Sequence, residues 1–382
     1  MYGLKMPCLT LVGEERYKNF FVRTSELNEL VAQIRRTLAS GRIPRMVIYG
    51  TFGIGKSHAS EYIVDQIKDV AKSVYVKCPP LHRRSRFNEL HMTIMRALGR
   101  TYVLQLLEKG INLARDSGKK LDEYFRINPD LAYVIETAFD NGQLNILWKY
   151  ISGATLTSRE AQSIQAVSKQ LNEDDAVSII NLLAKLIRQL EDRELVLFID
   201  ELESTYPLTG DSLMAFAEAF RELTDEWSQV GLFLITTARG FEEFPSFLDP
   251  RDRFSYVARR IGLSNYIFMR EYTEEELREL IRSAIRFRRE ENFDVDSAIR
   301  SIQSNEEVLR EEYPFTAQAI NLVLEKVKAW KDGGLIPSLR PKEVLDILDS
   351  SLSIGLQENL PIIDSSVIMR VCENVERHLT GR

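Results

Sequence analysis

Gly50-Thr51-Phe52-Gly53-Ile54-Gly55-Lys56-Ser57 is the stretch that decides the fold. It matches G-x-x-x-x-G-K-[ST] in full. Glycines are required where a backbone wraps a phosphate, because a Cβ would block close approach or a positive φ. Successive backbone N–H groups, with the N-terminus of the helix that follows, then form an anion cradle. Lys56 is expected to reach the β- and γ-phosphates of ATP and Ser57 to hold Mg²⁺. The expected nucleotide-binding segment runs from Gly50 to His58.

The flanks of the loop agree with this reading. Met46-Val47-Ile48-Tyr49 is a short apolar run closed by glycine, the pattern of a buried strand. Upstream, 24–40 repeats Leu27, Leu30, Val31 and Ile34 at a helical period behind a Thr or Ser cap. Downstream, a helix carries Ala59, Tyr62, Ile63 and Ile67 on one side, and Ser73-Val74-Tyr75-Val76 forms a second strand closed by Pro79-Pro80. Strand, loop, helix and strand make the unit of a parallel α/β sheet.

Further along, Leu195-Val196-Leu197-Phe198-Ile199-Asp200-Glu201 is an apolar strand ending in two acids. An Asp at the carboxyl edge of such a strand sits beside the phosphates, so Asp200 is expected to bind Mg²⁺ through water. Glu201 is expected to polarise the attacking water. A third strand, Gly231-Leu232-Phe233-Leu234-Ile235, ends in Thr236-Thr237-Ala238-Arg239. Thr237 is preferred over Thr236 as a hydroxyl beside that water. A helix is expected at 211–227, between the two strands.

From about 83 to 192 the pattern is helical, and 176–190, AVSIINLLAKLIRQL, is apolar around much of its circumference. From about 273 to the end the chain is helical again, with breaks at Pro314, Gly333-Gly334 and Pro337. No internal repeat or low-complexity segment interrupts this order.

Composition narrows the classes. The chain has 382 residues, 44% hydrophobic and 28% charged, with a formal charge of −6. At about 100–200 residues per domain, two or three domains with real cores are expected. The content of large apolar residues excludes a disordered chain. No run of about 18 apolar residues marks a membrane span, and the start lacks the apolar segment of a secretory signal. Three scattered cysteines (Cys8, Cys78, Cys372) argue against a disulfide framework or zinc ribbon, so a cytoplasmic protein is expected. The acidic balance does not suggest a nucleic-acid binder over the whole surface. A local exception is 81–100, where Arg83, Arg84, Arg86, Arg96 and Arg100 face one Glu.

The three strands with their polar ends resemble Walker A, Walker B and sensor 1 of AAA+ ATPases. Phe20-Phe21-Val22-Arg23-Thr24-Ser25-Glu26-Leu27 resembles the lead-in of origin-recognition-like initiators, which implies that Arg23 lies near the adenine. Residues 248–277 resemble the passage from core to lid in that family. There an arginine reaches a neighbouring subunit's γ-phosphate; Arg259 and Arg260 match best by position, with Arg251 and Arg253 as alternatives. Ser338-Leu339-Arg340-Pro341-Lys342-Glu343-Val344 resembles the sensor 2 helix, implying that Arg340 faces the nucleotide. Trp148-Lys149-Tyr150-Ile151-Ser152-Gly153, the segment 176–190 and the run Phe198-Ile199-Asp200-Glu201-Leu202-Glu203-Ser204 resemble BREX-type P-loop ATPases of phage defence. The resemblance implies an α/β P-loop NTPase (AAA+) with a parallel-sheet core over 1–270, a large helical insertion at about 83–192, and an all-helical lid over 271–382. Initiators carry a winged-helix domain after the lid, for which the chain has no room, so DNA contact is expected from the core or from a partner.

Two functions follow as expectations. One is an ATP-hydrolysing homo-oligomer acting on double-stranded DNA in a defence, transposition or replication-like system. The other is a nucleotide-gated switch with slow hydrolysis, which recruits an effector or nuclease. A small-molecule kinase fits less well, since such an enzyme rarely needs a helical lid and so large an insertion.

Overall fold

A computed structural model describes residues 2–6, 8–9, 25–225, 227–252 and 255–380. Five strands form one parallel sheet: β1 (Arg45–Gly50), β2 (Ala71–Lys77), β3 (Glu194–Asp200), β4 (Val230–Thr237) and β5 (Tyr266–Phe268), in the spatial order β2-β3-β4-β1-β5. Every residue of β3 is buried, and β4 is buried up to Thr237. That is why both read as unbroken apolar runs, since a parallel sheet covered on both faces leaves no solvent side to alternate with. Phe198 and Phe233 are register partners on β3 and β4, and their rings stack at 4.4 Å. The chain leaves β1, crosses to β2 at the far edge and walks back through β3 and β4 to lie beside β1. In open α/β sheets, ligands bind outside the carboxyl ends of the strands where the order reverses in this way.

The helices are α1 (Ser25–Ala39), α2 (Lys56–Gln66), α3 (Phe87–Leu98), α4 (Arg100–Asp116), α5 (Leu121–Phe125), α6 (Pro129–Asp140), α7 (Leu144–Ile151), α8 (Ser158–Ser163), α9 (Glu173–Glu191), α10 (Gly210–Leu223), α11 (Tyr256–Ile261), α12 (Glu274–Arg288), α13 (Val295–Arg300), α14 (Ala317–Asp332), α15 (Pro341–Gln357) and α16 (Ser365–Thr380). Helices α3 to α9 fill the stretch between β2 and β3, which is the large insertion. Helix α9 starts where Asn172 accepts from the Asp175 N–H at 2.7 Å, and three acids in its first turn suit the helix dipole. It buries Ile179, Ile180, Leu182, Leu183, Leu186 and Ile187 in one core with β3 and α4. The fully buried His91 on α3 contacts the Ile151 carbonyl through Nε2 at 2.7 Å. Burial pushes its pKa down to about 4, so it packs as a neutral ring. Helix α10 stops at Leu223, earlier than the expected 227, and Thr224 caps it with its N–H and hydroxyl on the Phe220 and Arg221 carbonyls.

The described chain divides into two compact units. One is Glu29–Gly50 with Ile63–Phe268 and holds the sheet and the insertion. The other is Met1–Asn28, Thr51–Tyr62 and Met269–Arg382. Its core gathers Ile54, Tyr272, Leu277, Ile281, Phe315, Ile320, Trp330 and Leu348 from the glycine loop and the C-terminal helices. Helix α12 opens with a capping box between Thr273 and Glu276, and α15 opens with Pro341 at its first turn. No helix among the described residues is long and apolar enough to cross a membrane.

Candidate nucleotide site

The sheet unit brings four chain segments to one edge. Gly50, the last residue of β1, is the register partner of Thr237, the last of β4; Asp200 ends β3 and pairs in register with Lys77 at the end of β2. Parallel strands all finish at the same edge, so residues far apart in sequence become neighbours there. The side chain of Asp200 is buried, and Tyr75 donates its hydroxyl to one carboxylate oxygen at 2.5 Å. The Glu201 N–H donates to the other at 2.8 Å. These bonds fix a hard, oxygen-donor carboxylate of the kind Mg²⁺ takes, either directly or through its waters.

Glu201 adopts a left-handed backbone (φ 59°, ψ 40°), which costs a non-glycine residue about 1–3 kcal/mol. The turn throws its side chain off the line of the strand. There the Lys77 ammonium lies 2.5 Å from Oε1, with both side chains well exposed. Glu203, two residues on, accepts from the Thr237 hydroxyl at 2.9 Å, the Thr237 N–H at 3.1 Å and the Thr236 hydroxyl at 3.3 Å. Thr237 thus gives its proton to Glu203 and keeps its oxygen lone pairs for a further donor such as water. Thr236 is fully buried, whereas Thr237 is partly exposed at the strand end.

The glycine loop lies in the other unit. Gly53 (φ +79°) and Gly55 (φ +94°) hold backbone conformations that side chains resist, and a Cβ on Gly53 would sit 3.0 Å from Arg340 Cδ. Ile54 anchors the loop in the helical core. Lys56, itself buried, donates from Nζ to the Thr51 carbonyl at 2.9 Å, and Arg340 donates from Nη1 to the next carbonyl, Phe52, at 3.3 Å. Two cations therefore converge on consecutive carbonyls of one turn. Arg340 is also ion-paired with Glu343, one turn into α15. The Thr51 and Ser338 hydroxyls are hydrogen-bonded at 3.2 Å. Ser57 and His58 lie in the first turn of α2, where backbone N–H groups lack helical acceptors. The positive-φ glycines and converging cations suit a polyphosphate.

The arginines of residues 248–277 separate by their bonding. Arg260 donates to the Arg221 carbonyl at 2.9 Å and lies 3.3 Å from Asp225. Arg251 forks onto Asp249 at 2.8–2.9 Å. Arg259, exposed on the same helix as Arg260, makes no ion pair among the described residues. Arg23 and Arg253 lie outside the described residues.

Sequence reasoning missed Tyr75 and Lys77. The alternation of β2 places the two on one face, but only the strand order shows that this face meets the acids of β3. It also missed that Glu203 is the acceptor for Thr237, a pairing across 34 positions that spacing alone does not reveal.

This sheet order, the loop and the acid-tipped strand define a P-loop NTPase core of the AAA+ type, with a helical insertion and a helical C-terminal region. The sequence matches the family model described as AAA ATPase domain over residues 19–235, more than half of its length. The chain belongs to that family. Among solved structures it is similar to the ORC1 protein of Aeropyrum pernix in complex with DNA (TM-score 0.47, 14% identity, over 92% of this chain and 65% of that one). It is also similar to Cdc6p of Pyrobaculum aerophilum (0.48, 14%, 92% and 68%) and to the RuvB Holliday junction branch migration motor of Thermotoga maritima (0.44, 11%, 96% and 72%). The chain thus spans just under two thirds of the ORC1 protein's length. No curated protein matches it.

Proposed function

We propose that the chain binds and hydrolyses MgATP as a homo-oligomeric, origin-recognition-like AAA+ ATPase whose turnover responds to double-stranded DNA. The observation that carries the ATPase reading is the single sheet edge shared by Gly50, Asp200-Glu201 and Thr237 on adjacent strands. In this reading Lys56 neutralises charge on the β- and γ-phosphates, and Ser57 with Asp200 holds Mg²⁺. The metal, when bound, offsets the charge that develops on the transferring phosphoryl group. Glu201 takes the proton of the attacking water, and Thr237, fixed by Glu203, orients that water. Arg340 shares the phosphate charge from the helical unit, and Arg23 is the residue assigned to the base.

Arg259 supports the oligomer. An exposed guanidinium that makes no ion pair among the described residues gains a role when a second copy brings a γ-phosphate to it. Arg259→Ala is expected to leave nucleotide affinity unchanged while cutting turnover by about 10³-fold, the lower end for a trans arginine. Arg260→Ala loses only a surface pair and a carbonyl contact, and is expected to keep turnover within about threefold. Turnover of both variants at the wild-type level would sink the trans assignment.

Support for DNA is the exposed run Arg83, Arg84, Arg86, which leaves the carboxyl edge of the sheet between β2 and α3. Steady-state ATP turnover with and without duplex DNA, blanked with Lys56→Ala, tests it. Stimulation that fades steeply with salt is expected, since each phosphate contact contributes about −0.9 to the log–log slope. Indifference to DNA would instead favour the second reading, a nucleotide-gated switch that recruits an effector or nuclease. One observation favours that reading: the Lys77 ammonium lies 2.5 Å from Glu201 Oε1 and so occupies the group that must take the water's proton. The phage-defence setting has support from the BREX-type residues at 148–153, 176–190 and 198–204 alone.

A further inference from the structure

The opposite edge of the sheet unit carries a second cleft. It has a volume of about 590 Å³ and lies between α5, α9 and the residues just before β4. Its walls hold three aromatic rings (Tyr124, Phe125, Trp227) and three cations (Arg126, Lys185, Arg188), and among the described residues no carboxylate lines it. Gln229 borders it immediately before Val230, the first residue of β4. The full length of β4, about 25 Å at ~3.3 Å per residue, therefore separates the cleft from Thr237 and the nucleotide edge. One nucleotide cannot occupy both places.

The bonding within the cleft shows which groups are available. Lys185 donates to the Phe125 carbonyl at 2.6 Å, which holds its ammonium at the floor. Burial, and then the neighbouring Arg126, push the Lys185 pKa down, so two positive charges are crowded together in a half-buried setting. Arg188 is committed to Glu194 at 2.7 Å, with Asp192 at 3.9 Å, so its charge is largely answered. Arg126 makes no ion pair among the described residues and sits in a left-handed turn at the end of α5. Gln189 donates to the Tyr124 hydroxyl at 2.7 Å and so fixes that ring. Trp227 is 83% exposed, an indole face left to solvent at the mouth of a basic cleft.

An indole and a phenol offer π faces that accept any base by stacking, and the Arg126–Lys185 pair offers charge for the phosphate beside it. We infer that this cleft binds an unpaired nucleotide, base on Trp227 and phosphate on Arg126 and Lys185, as part of single-stranded DNA. The same chemistry could be met by a free mononucleotide, and the test separates the two. The inference is independent of ATP hydrolysis, because binding is read without ATP and with the phosphate loop disabled.

The test uses the full chain carrying Lys56→Ala, titrated with a short oligothymidylate, with AMP and with a short duplex. Tryptophan fluorescence and the anisotropy of labelled oligonucleotide are the readouts. Trp148 and Trp330 are more enclosed than Trp227, so quenching by the strand is expected to vanish with Trp227→Ala. That substitution, at an exposed position, is expected to leave thermal unfolding unchanged and to weaken strand binding roughly 5- to 150-fold, the loss expected from one base stack. Arg126→Ala is expected to reduce the salt slope by about 0.7, one phosphate contact on a single strand. AMP binding that is lost with Trp227→Ala, without strand binding, supports the cleft with a mononucleotide as its source. Strand binding unmoved by both substitutions, preference for the duplex, or no binding of either ligand overturns the inference.

Discussion

Lys56→Ala is expected to lower ATP turnover by about 10²–10³-fold, the typical cost of removing one donor from a developing phosphoryl charge. The fold should survive. Lys56 is the first residue of α2, alanine is the best helix former, and the Ser60 hydroxyl bonds the carbonyl of residue 56 rather than its side chain. What disappears is one of the two cations on the loop: the Thr51 carbonyl loses its ammonium, while Arg340 stays on Phe52 and Glu343. Lys56→Arg is not expected to rescue, because a planar fork cannot follow the path of a slender ammonium through a turn so tight that a Cβ added at Gly53 would sit 3.0 Å from Arg340 Cδ. Equilibrium binding of a fluorescent ATP analogue, turnover and thermal unfolding settle the matter together. Wild-type turnover with a normal unfolding curve would remove the loop from the chemistry. Lost turnover with a collapsed unfolding curve would assign Lys56 to stability instead.

The parts of this fold that sequence exposes are those whose physics is local. Strands β3 and β4, and most of β1, show as apolar runs because burial on both faces leaves little polar alternation, and the loop shows because only glycine fits its positive-φ turns. Strand β5 is invisible: Tyr266–Phe268 is three residues long, only partly buried, and held by pairing with β1 alone. The company kept by the glycine loop is equally hidden. Ile54 reads as an ordinary filler of the motif, yet it is fully buried in the core of the C-terminal helices, and Arg340 lies 288 positions from the carbonyl it bonds. Residues 51–62 consequently cluster with 269–382 rather than with the strand that precedes them. The arginines show the same limit from another side. Arg259 and Arg260 are identical by position, and only bonding to Arg221 and Asp225 distinguishes the engaged one from the available one.

Glu201→Gln is expected to reduce turnover by about 10²–10⁴-fold, the range of a lost general base, while leaving ATP affinity intact. The substitution preserves shape. The N–H of residue 201 still donates to Asp200, so the left-handed turn and the buried carboxylate keep their places, and what is removed is the ability to take a proton together with the charge paired with Lys77. ATP should then accumulate on the protein, and in the oligomer reading the ATP-bound assembly should persist in size-exclusion chromatography. Lys77→Ala provides the complementary measurement. The Lys77–Glu201 pair is exposed on both sides, so it contributes no more than about 1 kcal/mol, which caps the basal rise from its loss at roughly fivefold. A rise within that cap means that the pair merely tunes a base that already works, as a DNA-stimulated ATPase requires. A much larger rise would mean that Lys77 holds Glu201 away from the water through a change of state rather than by charge alone. Weight would then move to the nucleotide-gated switch, in which release of Glu201 is the step a partner controls. If Glu201→Gln instead turned over at the wild-type rate, the proton would have to go elsewhere, and Glu203, already accepting three hydrogen bonds from Thr236 and Thr237, has little lone-pair capacity left to take it.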